Sequence, residues 1–257
     1  MIKENFKNIE FLRIIGCISI VLFHLFNNYR LGGLFKDINF YQKMNHMTSC
    51  GDKAVELFFI ISGVFFALTL KPTQDLWNFL KKKLIRLYPT ILFAVIVFWI
   101  LSLIGDFKFN FTQNIMSLLL LDGTLWHVSW PQIGPLWYVP ALLWTLTFFF
   151  YLRKHYRKED VDLWITLIVI LSYGIILHTK NGGIYQTGET YYYIFHIGTL
   201  RARAGIGLGY IIGQIYRNKN EIIQKINSKN LTVFCTIAEF LSIYFIIHYS
   251  STIKFSR

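Results

Sequence analysis

Long apolar runs separated by short polar segments set the pattern of this chain. Seven runs approach the roughly 20 apolar residues that a bilayer requires. They predict membrane helices over residues 9–28, 54–70, 86–104, 134–152, 161–179, 194–216 and 231–249. An eighth apolar stretch, 111–121 (FTQNIMSLLLL), is too short to cross and is expected to lie in the interface or to re-enter. No internal repeat or low-complexity linker breaks the pattern. The expectation is an all-α fold, a polytopic transmembrane helical bundle forming one domain over 1–257.

Composition agrees with the pattern. Of 257 residues, 54% are hydrophobic, 18% aromatic and only 16% charged. A soluble domain carries about 45–50% apolar and about 25% charged residues. The formal charge of +12 sits in short clusters between the apolar runs and not on one continuous face, which argues against a nucleic-acid partner. Cys17, Cys50 and Cys235 have the spacing of neither a disulfide framework nor a zinc site. The first run continues past Cys17 and contains Arg13, so it reads as an uncleaved span and not a signal peptide.

Lys and Arg give the orientation. They are twice as frequent at the N-terminal end and in the second, fourth and sixth loops as in the alternate loops. The N-terminus is therefore expected in the cytoplasm.

Ionisable groups inside the runs are the candidate chemistry, because they are costly in a membrane and usually face a cavity. Arg13 and His24 are 11 residues apart in FLRIIGCISIVLFH, so they share one helix face about 16 Å apart. Arg13 alone is also explained by snorkelling to the headgroups. His24 suits a general base, or else a buried imidazole satisfied by a carbonyl. In the second span, Glu56 lies at similar depth and is the candidate to orient His24, with Asp52 as second choice. Ser62-Gly63 fits a close-packing site better than a nucleophile. NFLKKKLIRLYP, residues 78–89, clusters cations suited to polyanionic phosphate, and Pro89 fits the first turn of the third span. No glycine-rich nucleotide loop follows a strand. Outside, Trp126, Trp130, Trp137 and Tyr138 fit an aromatic belt, or stacking on a sugar ring. His127 is a second acid/base candidate. Arg203 or Arg201 is suited to an oxyanion or an acidic sugar. Gly209 and Gly213 suit helix packing, and Glu239 has no evident partner.

Several of these segments together resemble the membrane-bound acyltransferase family 3, which O-acetylates envelope carbohydrates. The matching residues are Arg13 and His24, then Glu56, Phe58, Phe59, Ser62 and Gly63, then Phe79, Lys82, Lys83, Arg86 and Pro89, and more loosely PLWYVPALL and the Arg- and Gly-containing sixth span. Val64 stands where an aromatic is usual, and Leu142 where many members carry glutamate. The resemblance covers about residues 8–216.

The resemblance implies transfer of an acetyl group from cytoplasmic acetyl-CoA to a hydroxyl of an envelope polysaccharide or lipid-linked sugar, in the plasma (inner) membrane of a bacterium. His24 would be the base and Glu56 its orienting group. Arg13, Lys83 and Arg86 would hold the CoA phosphates, and Trp137 and Arg203 the acceptor. Attack would be direct, without an acyl-serine. Acetyl-CoA enters as co-substrate; no tightly bound cofactor and no metal is expected, and membrane lipids are the other partners. Members usually carry more spans in a longer chain, so the domain is expected to be C-terminally shortened. The competing readings are a transporter or flippase for a lipid-linked sugar, and an inactive fragment of the family.

Overall fold

The structure, a computed structural model, describes residues 7–26, 39–48, 51–71, 73–105, 108–122, 131–178, 191–192 and 195–218. The seventh predicted span, 231–249, lies outside them. The described helices are α1 (Lys7–Phe26), α2 (Asn39–Thr48), α3 (Ala54–Thr69), α4 (Leu76–Ile104), α5 (Phe111–Leu118), α6 (Tyr138–His155), α7 (Lys158–His178) and α8 (Ile197–Arg217). Short 3-10 turns, Gly51–Lys53 and Gly134–Trp137, lead into α3 and α6. A two-residue antiparallel pair, β1 (Tyr191–Tyr192) with β2 (Phe195–His196), leads into α8. The protein is an all-α helical membrane protein.

Helix α8 is the axis of the bundle. Fourteen of its residues are buried, and α3, α6 and α7 pack around it. Its contact with α3 brings backbone against backbone. A methyl group added at Gly63 would strike the Ile206 carbonyl oxygen, and one at Gly209 would strike the Ile60 carbonyl oxygen. Lipid tails give apolar helices little reason to separate from them, so such association rests on close packing, and small residues allow it. From the other side, the buried Tyr210 donates its hydroxyl to Asp162 of α7 at 2.6 Å.

Four segments are long and apolar enough to cross a membrane: Ile9–Phe26, Leu76–Ile104, Gly134–His155 and Lys158–His178. Helices α1 and α4 turn large side chains outward, among them Phe11, Val21, Phe93, Leu103 and Ile104. These are the surfaces a bilayer would cover. The predicted second and sixth spans are a different kind of element. Helix α3 is only 16 residues long, and α8 carries three arginines and a series of glycines. Both are sheltered by the helices around them.

The third span departs from its predicted start. Helix α4 begins ten residues earlier, at Leu76, and Pro89 sits in its interior, not its first turn. Asp75 explains the early start: its side chain accepts from the Trp77 amide at 2.9 Å and caps the helix. The basic stretch is therefore helical, and Pro89 costs the ladder one hydrogen bond.

The short apolar stretch forms α5 and packs back on α4 and α6. Gln132 clasps it: Asn110 N and Asn114 Nδ2 donate to Gln132 Oε1 at 2.8 and 2.7 Å, and Gln132 Nε2 donates to the Lys108 carbonyl at 2.5 Å. Helix α5 ends through Leu120, at φ 59°, whose carbonyl receives the Trp144 indole N–H at 2.8 Å. A non-glycine residue in this left-handed region costs about 1–2 kcal/mol. Asp122 is buried just beyond. Burial pushes its carboxyl up to about 6, against a smaller downward pull from Ser117. The Ser117 hydroxyl also donates to the Gln113 carbonyl at 3.2 Å.

Two outcomes follow from these contacts. Gly63→Ala and Gly209→Ala should each lower unfolding stability in detergent by about 1–3 kcal/mol or more, because two backbones must part. Gly174→Ala, with nothing within 4 Å of the added carbon, should be neutral or stabilise by roughly 0.5–1 kcal/mol. Equal effects at all three positions would refute the close approach. Because the folded pKa of Asp122 lies above its unfolded value, the folded state holds the extra proton between about pH 4 and 6. Stability should therefore fall as pH rises through that window. Asp122→Asn should flatten the fall, as read from melting temperature against pH.

Candidate active site

The described residues place the candidate chemistry in two zones, one at the end of the bundle and one within it. At the end, α3 runs out as α4 begins, and between them opens a cleft of about 700 Å³. Lys71, Lys82, Lys83 and Arg86 line it, with Thr69, Thr73 and Asn78 as neutral hydrogen-bonding groups and Phe66 and Phe79 as an apolar floor. One helix turn separates Lys82 from Arg86, so both reach the same wall. The Arg13 guanidinium sits over the Phe65 ring, 4.7 Å from its centroid, close enough to Lys83 for the two charges to interact. Arg13, Lys83 and Arg86 thus converge from two helices that are far apart in sequence.

In the second zone, Glu56 of α3 and Arg201 of α8 form a buried ion pair in which Arg201 Nε donates to Glu56 Oε1. Arg201 is 4% exposed. Its guanidinium also lies over the Trp137 ring, 5.3 Å from the centroid. Phe59 packs edge-on to Trp137 and stacks on Tyr138 with centroids 4.6 Å apart. Ser62, one to two turns along α3, reaches the Tyr138 hydroxyl, and Tyr138 feels the charges of both Arg13 and Glu56. Tyr138 therefore stands between the two zones.

The other predicted site residues fall around these zones. His24 is in the last turn of α1, edge-on to Phe23 and exposed among the described residues. It lies toward the end of α1 that meets the turn before α3: a methyl group at Gly51 would contact Ser19 and Phe23. Nearby, Tyr41 of α2 donates to the Phe26 carbonyl at 2.6 Å. The partner seen for Glu56 is Arg201, which the sequence reading had not paired with it. Trp137 is buried beside Arg201 and does not belong to an exposed belt. Arg203 is about 200° further round α8 and so lies on a different face of the helix from Arg201. Leu142 is core. Trp126, Trp130, His127, Cys50, Cys235, Glu239 and the Asp52 side chain lie outside the described residues. Among the described residues, no cluster of three His, Cys, Asp or Glu side chains suits a metal.

The sequence reading offered Arg201 only as an alternative to Arg203, took Lys82 as part of the basic match without giving it a role, and did not single out Lys71. The signal for Arg201 was its depth: Glu56 and Arg201 both sit near the same end of spans that run in the same direction.

A basic cleft at one end and a buried ion pair in the interior mark the two chemically distinctive places of this all-α membrane bundle. The family model described as an acyltransferase domain, that of acyltransferase family 3, matches residues 6–255. The chain belongs to acyltransferase family 3, a membrane family whose chemistry is acyl transfer. No curated protein and no solved structure matches it.

Removing one member of a buried ion pair strands the other and costs about 3–5 kcal/mol. Glu56→Gln and Arg201→Gln should each lose about that much unfolding stability. The double variant should lose clearly less than the sum of the two. Additive losses would show that the two groups do not depend on each other.

Proposed function

We propose that the protein moves an acetyl group from acetyl-CoA to a hydroxyl of an envelope polysaccharide or lipid-linked sugar, at the plasma (inner) membrane of a bacterium. The basic cleft carries this reading. A CoA nucleotide is a polyanion, and the cleft offers Lys83 and Arg86 on its wall with Arg13 close behind. Its neutral donors and apolar floor suit the rest of a nucleotide. The positive-inside bias puts this end in the cytoplasm, where acetyl-CoA is made.

The thioester then runs inward beside α3, past Arg13, Ser62 and Tyr138. His24 accepts the proton of the acceptor hydroxyl as its oxygen attacks the thioester carbonyl carbon. The C–S bond breaks, and the departing thiolate takes the proton back from the imidazolium, leaving an ester and free CoA. In this reading Glu56 orients His24, and Arg201 fixes the Glu56 carboxylate in place. Trp137 and Arg203 remain the acceptor-side residues of this reading, Trp137 as part of the wall around Arg201.

The test uses membranes from cells expressing the chain or its His24→Ala variant, supplied with acetyl-CoA labelled in the acetyl group. Ester label should enter the carbohydrate fraction with the intact chain. With His24→Ala it should drop by about 10²–10⁴-fold, the usual contribution of a general base. Full labelling with the variant would remove His24 from the chemistry. Export of unlabelled lipid-linked sugar without any acyl-donor requirement would point to a flippase.

A further inference from the structure

Beside the cleft lies a second hollow that the reaction scheme leaves unused. Its volume is about 60 Å³, and Leu70, Lys71, Phe150, Arg153, Lys154 and Arg217 line it. One water needs roughly 10–15 Å³ on this measure, so there is room for a group of phosphate size. The ends of three helices meet here: α3 at Thr69, α6 at His155 and α8 at Arg217. Cations near helix C-termini are favourable on dipole grounds alone. The dipoles do not explain why four of them surround one space. Nor do they explain Arg153, whose Nε is buried without a hydrogen bond among the described residues. The hollow shares Leu70 and Lys71 with the large cleft, and the Lys154–Asp75 pair at 3.2 Å bridges the two.

We infer that this hollow is a phosphate-monoester site that takes the 3′-phosphate of CoA while the large cleft takes the pyrophosphate. The inference rests on the donor being a CoA thioester and makes that reading more specific. A nucleotide with one phosphate chain would fill the cleft alone. A donor with two separated phosphates fills two basic spaces joined at one wall. A monoester carries about −1.5 to −2 charges at neutral pH, which suits a site with Lys71, Arg153 and Arg217 beyond the paired Lys154.

The experiment compares binding of CoA and dephospho-CoA, which lacks only the 3′-phosphate, to the detergent-solubilised full chain by calorimetry. CoA should bind roughly tenfold more tightly or better, the scale of one charge-assisted contact. The double variant Arg153→Gln, Arg217→Gln should bind CoA as weakly as dephospho-CoA. Its unchanged affinity for dephospho-CoA would certify an intact cleft. Equal binding of the two ligands by the natural chain overturns the inference and leaves the acyl-donor reading standing. So does a variant that weakens both ligands alike. Repeating the titration in phosphatidylcholine bilayers with and without phosphatidylglycerol identifies the phosphate's source. A preference for CoA that vanishes with phosphatidylglycerol assigns the hollow to a lipid headgroup and overturns the inference. If neither ligand binds, the donor reading fails, and the inference with it.

Discussion

The backbone contact between α3 and α8 is the constraint on which the rest of the structure depends. The two helices run in the same direction, and their contacts advance together. Gly205 faces Phe59, Gly209 faces Ile60 and Gly63, and Gly213 faces Val64 and Ala67. Residues four apart in a helix share a face. Extending this ladder one turn back brings Arg201 level with Glu56. The ion pair is thus set by the same register as the glycines. A slip of one residue would rotate Arg201 by about 100° and leave both charges buried without each other. In a membrane that error is costly, so packing and charge select one register together.

This arrangement also explains why α8 tolerates arginines. By hydropathy it is a poor membrane span, and it is absent from the segments apolar enough to cross. Its neighbours supply the apolar surface: α6 and α7 shield it on two sides, and α3 carries the countercharge. An intramembrane arginine usually faces a bundle interior, a partner or water. Arg201 has the first two, with Trp137 across its face. Arg13 follows the same logic near the cleft, its guanidinium lying on Phe65. Both arginines rest on aromatic rings, where a weakly hydrated planar cation loses least on leaving water.

Much of this was legible in the amino-acid sequence, and the misses have physical causes. Six of the seven predicted spans coincide with helices, because apolar runs of bilayer length have few alternatives. The start of α4 was misplaced because Lys81–Lys83 and Arg86 read as a loop. Charge and helix are compatible once Asp75 caps the first turn and the basic residues stay at the bilayer surface. The cation cluster was visible, but its cleft was not, since Lys71 and Thr69 arrive from α3 and nothing local announces them. Gly63, Gly209 and Gly213 were readable as packing positions one by one. Their mutual contact required a pairing of spans two and six, and that same pairing would have delivered Glu56–Arg201. Trp137 misled because an aromatic at interface depth fits a belt equally well, and only the presence of Arg201 beneath it separates the two.

Helix α4 shows how one element can present a basic cleft at the surface of a membrane-embedded core. At 29 residues it is about 43 Å long, against about 30 Å of hydrocarbon. Its exposed large apolar side chains lie mainly beyond Pro89, from Leu92 to Ile104. The cations lie before it, from Lys81 to Arg86. The polarity change near Pro89 therefore sets how deep the helix sits, since moving the lysines inward or the leucines outward would both be penalised. The proline removes a ladder hydrogen bond at about this boundary, where water and headgroups can satisfy the freed carbonyl at little cost. The cleft wall is rigidly continuous with the lipid anchor. Its mouth is thereby fixed at the surface while its floor, Phe66 and Phe79, packs through Phe66 onto Tyr210 in the core. One helix thus carries the cleft's cations at the surface and, through Phe79 against Phe66, ties the cleft to the same core that holds α3 and α8 in register.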